Sequence, residues 1–250
     1  MSDGRPFVLS IAGFDPCGGA GILADIKAFE LNKVHGLGVC TAITFQNDIS
    51  FHHVKWVNIE DILKQIDVLF ERFKINWVKI GLVENMMILK VIIAHLKKIN
   101  SEMKIIWDPI VKASAGFVFH PEVNKSDLEE ISKDIYLITP NLEEIKFFYN
   151  DIPAHEAAES LSEHTNVFLK GGHTPATMIK DILWENKQKQ VFVSDKIASD
   201  KRGTGCVLSA AILAGLAKGY SLQESCRQSK SYVTSYIKSN QGLLGYHYHE

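Results

Sequence analysis

The feature that most limits what this chain can become is a regular alternation of short β-rich runs with longer segments of helical period. Phe7–Ala12 reads as a strand and leads through a glycine-rich turn into a helix reaching about Val34. Leu37–Phe45 is a second strand. Asn58 then caps a helix whose apolar residues Ile59, Ile62, Leu63, Ile66 and Phe70 keep helical spacing. Trp77–Gly81 predicts a strand, Glu84–Ile99 a helix and Lys104–Trp107 a strand. Ile135–Thr139 predicts another, stopping at Pro140 with Asn141 placed to cap the next helix. Val167–Lys170 ends at Gly171-Gly172, and the alternating runs Ile179–Trp184 and Gln190–Ser194 predict an antiparallel hairpin. Two helices follow, one from near Gly205 to Gly219 and one opening on the capping-box pattern Ser221-x-x-Glu224.

Repeated strand–helix units predict an α/β fold. Its central sheet is mostly parallel, with helices on both faces and a small antiparallel hairpin near the C-terminal third. No linker or shift in composition divides the 250 residues, so residues 1–250 are expected to form a single domain. In such sheets ligands bind at the carboxyl ends of the strands, and the residues directly after each strand are where a site should be sought.

Composition removes several classes of function. A formal net charge of -2 gives no overall field that would draw in nucleic acid or anionic lipid. No run approaches the ~20 apolar residues of a membrane span. The segment Met1–Phe7 lacks the apolar stretch of a secretory signal. Cys17, Cys40, Cys206 and Cys226 are far apart with no Cys-x-x-Cys pair, which argues against a zinc site or disulfide framework and suits a reduced cytoplasm.

The first strand runs into Gly13-Phe-Asp-Pro-Cys-Gly-Gly-Ala-Gly21. Gly13 and Gly18 fit the frame of a Walker A loop, but Gly19-Ala20 stand where Lys-Ser/Thr are required, and that reading fails. Gly19-x-Gly21-x-x-Ala24 fits a relaxed dinucleotide fingerprint, yet six residues separate Gly19 from the strand end. A nicotinamide or flavin enzyme stays open on these residues. A loop this rich in glycine lets backbone N–H groups approach a small ligand. Asp25, one turn into the helix, either points at that ligand or is a charge favoured by the helix dipole. Gln46, ending strand two, either pairs with the edge of a heterocycle or is a solvated loop residue.

Gly203-Thr204-Gly205-Cys206 precedes a strongly apolar helix. Glycines there leave N–H groups unpaired in the positive field of the dipole, an anion hole for a phosphoryl group. The same field is expected to lower the Cys206 pKa toward thiolate, fitting it to handle a substrate hydroxyl proton. Asn141-Leu-Glu-Glu144 suits hydrated Mg²⁺, Lys170 can neutralise phosphate oxygens, and Asp108 can join the metal site or cap a turn. Phosphoryl transfer needs positioning and charge neutralisation, the chemistry on which these residues agree.

These stretches resemble the hydroxymethylpyrimidine/phosphomethylpyrimidine kinases of thiamine biosynthesis, in the ribokinase-like superfamily. The likeness is carried by Ser10–Asp25, Thr41-Ala42 with Gln46-Asn47, Lys79-Ile-Gly81, Asp108-Pro109, Ile138–Glu144, Lys170-Gly-Gly-His173 and Gly203–Ala211, in the family's order across almost the whole chain. The resemblance implies that Gln46 reads the pyrimidine with Gly13, Ala20 and Asp25 around it. It places Cys206 at the hydroxymethyl oxygen, and Gly203, Thr204 and Gly205 in the anion hole. Asn141 and Glu144 would serve Mg²⁺, with Lys170 and Asp108 near the phosphates of ATP, the co-substrate. It leaves room for a homodimer. Departures are Cys17 for a usual serine, Arg202 for histidine, Leu82 for methionine, a loose match over Val111-Lys-Ala-Ser-Ala-Gly116, and a short stretch between Tyr149 and Val167. A vitamin B6 kinase with similar motifs and a non-catalytic pyrimidine-binding protein are the alternatives. The tail with His247 and His249 is expected to be surface rather than a metal site.

Overall fold

The computed structural model describes residues 4–112, 119, 125–172 and 177–248. Residues 113–116 of the loosely matching segment, His173 and His249 lie outside the described residues. The strands are β1 (Phe7–Phe14), β2 (His35–Gln46), β3 (Phe51–Trp56), β4 (Ile75–Ile80), β5 (Lys104–Trp107), β6 (Leu137–Ile138), β7 (Asn166–Leu169), β8 (Met178–Glu185) and β9 (Gln188–Asp195). The helices are α1 (Gly21–Leu31), α2 (Ile59–Arg72), α3 (Met86–Ile99), α4 (Lys125–Ser132), α5 (Leu142–Phe148), α6 (Ala154–Ser162), α7 (Thr204–Ala217) and α8 (Leu222–Lys238).

The nine strands of the described residues join one sheet in the order β3-β2-β1-β4-β5-β6-β7-β8-β9. The run from β2 to β7 is parallel. The edges are antiparallel: β3 on β2 at one side, β8 and β9 beyond β7 at the other. The expected hairpin is β8–β9, turned at Asn186 and Lys187 with φ of 50° and 64°, the backbone of a type I′ turn. Strand β3 and helices α4 and α6 were not foreseen. β3 is an edge strand carrying two histidines, too polar to stand out by alternation.

Two apolar cores cover the two faces of the sheet. One gathers α2 to α6, the other α1, α7 and α8. Helix α7 is buried on nearly every side and carries no charged residue, as a helix enclosed by sheet and neighbours requires. The period of two along the strands assigns each residue to a face. Val8, Trp77, Ile106, Leu137 and Phe168 face α1, α7 and α8. Two positions further on stand Ser10, Lys79, Asp108, Thr139 and Lys170. The pleat therefore delivers these five polar groups to the α7 side of the sheet at its carboxyl end. That is the region outside the switch point where β2 and β4 flank β1.

Candidate active site

The carboxyl ends of the strands open into a cavity of about 1560 Å³. Its floor is the start of α7. Gly203 caps the helix with φ 68°, a left-handed conformation that favours glycine, and a β-carbon there would lie 1.8 Å from the Gly19 carbonyl oxygen. The glycine loop after β1 and the Gly203–Cys206 turn are thus in backbone contact. The N–H groups of Thr204, Gly205 and Cys206 have no hydrogen-bond partner among the described residues, and all three line the cavity. The first such bond of the helix runs from Val207 N to Gly203 O at 2.9 Å.

Beside that turn lies a buried charge cluster. Lys170 Nζ donates to Asp108 Oδ1 at 2.8 Å and stands 3.6 Å from Glu144 Oε2. Asp108 also accepts from Thr139 Oγ1 and from Ser209 Oγ of α7, each at 3.0 Å. A β-carbon on Gly205 would come within 3.3 Å of Lys170 Nζ, so a side chain there would crowd the lysine against the amides. Glu144 closes a capping box: its Oε2 accepts from Asn141 N at 2.7 Å, and Asn141 Oδ1 accepts from the Glu143 and Glu144 N–H groups. Two carboxylates share one lysine. Burial pushes the Glu144 carboxyl up to about 7, with Lys170 opposing and Asp108 adding to the rise. Asp108 is held below the usual carboxylate range: Lys170 and Lys79, with its hydrogen bonds, outweigh the cost of burial.

Cys206 sits in the first turn of α7, with the Gly21 N–H of α1 directed at its sulfur. Cys206 departs from the expected thiolate. Burial pushes the Cys206 thiol up to about 11, the Asp108 and Asp25 charges add to the rise, and Lys79 with the Gly21 N–H offsets it only in part.

Asp25 also differs from its expected place. It does not line the cavity. Its carboxylate is fully buried, accepting from Lys79 Nζ at 2.6 and 2.8 Å and from Ser10 Oγ at 2.6 Å. Nor do the Gly19 and Ala20 amides wait for a ligand. They donate to Asp15 Oδ2 at 3.0 and 2.8 Å, while Asp15 Oδ1 accepts from Cys17 N at 3.0 Å. Asp15 thereby folds the loop, and the dinucleotide reading loses the amides it needed.

Gly13, Ala20, Gln46, Asp108, Asn141, Glu144, Lys170 and Gly203–Cys206 all line the cavity together. Gln46 ends β2, and its side-chain amide has no hydrogen-bond partner among the described residues. Sequence reading missed Asp15, Lys79, Thr139 and Ser209 as organising groups. The Asp-x-x-Gly-Gly spacing of a turn was a signal for Asp15, whereas Lys79 and Asp25 are 54 residues apart and nothing in the sequence pairs them. His247 is half-buried against α8, its Nδ1 2.5 Å from the Tyr232 hydroxyl, rather than on a free surface tail.

Unpaired amides at a helix start, with a lysine and two carboxylates beside them, suit a phosphoryl group in motion, and fold and site together define a kinase of the α/β type. Comparison with known proteins narrows that class. A family model described as phosphomethylpyrimidine kinase matches residues 15–249. The chain is 34% identical over 244 residues to a hydroxymethylpyrimidine/phosphomethylpyrimidine kinase of Aquifex aeolicus, covering 94% of this chain and 95% of the relative. It is 33% identical over 242 residues to the enzyme of that name from Rhizobium meliloti, covering 92% and 90%. Among solved structures, a phosphomethylpyrimidine kinase from Clostridium difficile superposes with a TM-score of 0.79 at 33% identity, over 93% of this chain and 100% of that one. An ADP complex of Bacillus subtilis pyridoxal kinase gives 0.81 at 26%, over 94% and 92%. The chain belongs to the phosphomethylpyrimidine kinase family, and the ribokinase-like fold implied by the resemblance is the fold observed. No described helix is long and apolar enough to cross a membrane.

Proposed function

We propose that this chain phosphorylates 4-amino-5-hydroxymethyl-2-methylpyrimidine with ATP and then phosphorylates the monophosphate to the diphosphate, a supply route for thiamine diphosphate. The observation that carries the reading is the set of N–H groups of Thr204, Gly205 and Cys206, unpaired among the described residues, on residues that line the cavity with Lys170. The pyrimidine lies between Gly13, Ala20 and Gln46, where the Gln46 amide can meet an acceptor–donor edge of the ring. Its hydroxymethyl oxygen rests at Cys206. Every residue in this reading lines the cavity of one chain, so it needs no second copy.

In the first step the hydroxyl oxygen bonds to the γ-phosphorus of ATP as the bond to the β-phosphate oxygen breaks and ADP leaves. The transition state is loose, so the hydroxyl proton leaves late, onto an oxygen of the transferred phosphoryl group, and a strong base is not required. A neutral Cys206 thiol therefore serves first as the hydrogen-bonding group that aims the hydroxyl. The α7 amides and Lys170 hold the equatorial oxygens of the migrating phosphoryl group. In the second step a phosphate oxygen of the monophosphate takes the place of the hydroxyl.

Asp108 and Glu144 are hard oxygen donors with one lysine between them, and no cluster of three metal-ligating side chains exists among the described residues. That set fits Mg²⁺, which keeps most of its waters and binds through one or two carboxylates and substrate phosphates. Asn141 holds Glu144 in place as its cap. When bound, Mg²⁺ neutralises phosphate charge. The four free cysteines suit a reducing, cytoplasmic setting.

The test is ATP turnover with hydroxymethylpyrimidine, its monophosphate and pyridoxal as separate acceptors. Turnover dependent on the pyrimidine supports the reading. Turnover with pyridoxal alone would make the chain a vitamin B6 kinase, and pyrimidine binding without turnover would make it a non-catalytic binder.

A further inference from the structure

The segment after α8 folds back onto the approach to Gly203. Lys201, two positions before that glycine, is withdrawn from solvent. Its Nζ donates to Asn240 O at 2.6 Å, to Asn240 Oδ1 at 2.7 Å and to Gly242 O. No carboxylate joins this set, and Lys201 forms no ion pair among the described residues. An ammonium held only by carbonyl oxygens is bound as a small cation is bound in an oxygen cage, by converging dipoles in place of its water.

The contacts around the cage reach both loops of the cleft. Arg202 N donates to Leu243 O at 2.8 Å, and the Tyr236 hydroxyl donates to Arg202 O at 3.0 Å. Asn240 Oδ1 accepts a second bond from Gly242 N at 2.7 Å, and Asn240 Nδ2 donates to Leu244 O at 3.0 Å. Leu244 lies against the glycine loop: a β-carbon on Gly19 would be 2.7 Å from its Cδ2. Lys201 thus ties together the tail, the residues before the anion hole and the loop whose carbonyl touches Gly203. Only Arg202 and Gly203 separate Lys201 from the Thr204 amide, and the Gly203 backbone lies against the Gly19 carbonyl.

We infer that Lys201 is a positioning residue for phosphoryl transfer, its ammonium acting as a built-in cation that pins residues 240–244 and so fixes the Thr204–Cys206 amides. This rests on the kinase reading above. Arg202 Nε donates to Asp48 O at 2.7 Å, a tie to the end of β2 that does not depend on the pin, so loss of the pin is expected to act on transfer more than on pyrimidine binding.

The experiment compares full-length wild type and Lys201→Ala in tetramethylammonium buffer, with hydroxymethylpyrimidine and ATP, with and without added ammonium chloride. The expected variant has kcat lowered about 100-fold with pyrimidine KM changed by no more than about threefold, and ammonium, which fits the vacated cage, restores about tenfold of the loss. Amide exchange is expected to rise together in residues 203–207 and 242–245. A kcat within about twofold of wild type, or a loss untouched by ammonium with unchanged exchange at residues 203–207, overturns the inference. Should Lys201→Ala fail to fold, Asn240→Ala removes one oxygen of the cage and is judged by the same KM–kcat split and the same exchange. If wild type itself shows no pyrimidine-dependent turnover, the functional reading falls, and exchange alone then decides the fate of the pin.

Discussion

Gly203 meets the carbonyl oxygen of Gly19 so closely that a β-carbon on Gly203 would lie 1.8 Å from it. Two glycine turns separated by most of the chain are locked together, and the amides of α7 take their direction from that contact. Gly203→Ala is therefore expected to force the loops apart and to strain a φ of 68°. The strain alone costs about 1–2 kcal/mol, and the displaced amides lower kcat by about 100-fold. Gly219→Ala is the control: φ is 90° but nothing lies within 4 Å. It is expected to lose comparable stability to backbone strain with turnover unchanged. Denaturant unfolding and steady-state kinetics of both variants check this.

Lys79 and Asp25 form an ion pair with both side chains at 0% exposure. Burial pushes the Asp25 carboxyl up, and Lys79 is the main opposing influence. Lys79→Met leaves a buried carboxylate without its cation, a loss of about 3–5 kcal/mol. Replacing both partners, as Lys79→Met with Asp25→Leu, is expected to recover a large part of that stability. Urea unfolding of the single and double variants decides it, and equal losses in both would mean that the pair is not the organising contact.

The sheet and the strand-end residues were largely legible in the sequence because both follow from a period of two. Once Val8, Ile106 and Phe168 are read as core, Ser10, Asp108 and Lys170 must share their face. What was not legible depends on contacts between distant segments. Asp25 was read as facing ligand because its partner comes from β4. Cys206 was read as a thiolate because the helix dipole is visible in the sequence while the burial of its sulfur is not. Edge strand β3 buries none of its residues, and the Ala-rich helix α6 buries three alanines and one leucine, so neither carries a strong apolar pattern.

The Glu144 carboxyl, pushed up to about 7 from 4.5, makes stability depend on pH. The folded state holds the proton more tightly than the unfolded state, so the contribution is fully present below pH 4.5 and is lost as pH rises through 7. Asp108, held low, acts with the opposite sign and only at more acidic pH. Glu144→Gln should therefore gain stability relative to wild type between pH 4.5 and 7 and hold that gain above it. Melting curves of both proteins at pH 5, 6, 7 and 8 measure it, and a constant difference would contradict the shift. Mg²⁺–ATP binding near pH 7 should also release protons, read as a buffer-dependent heat in titration calorimetry.

With its thiol at about 11, Cys206 is uncharged at neutral pH in the free protein. Its alkylation by iodoacetamide, followed on the peptide by mass spectrometry, should be slow at pH 8 and accelerate toward pH 11. Cys206→Ala is expected to lower kcat by about 100-fold, the cost of losing the group that aims the hydroxyl, with little change in pyrimidine KM. Rapid alkylation at pH 7 would show that a thiolate is present after all.

The most direct measurement is a crystal structure with hydroxymethylpyrimidine, ADP, Mg²⁺ and aluminium fluoride as the mimic of the migrating phosphoryl group. The fluorine atoms are expected within about 3 Å of the Thr204, Gly205 and Cys206 nitrogens, with Lys170 on the same group. A mimic held elsewhere in the cavity, out of reach of the α7 amides, would contradict the role assigned to that helix start.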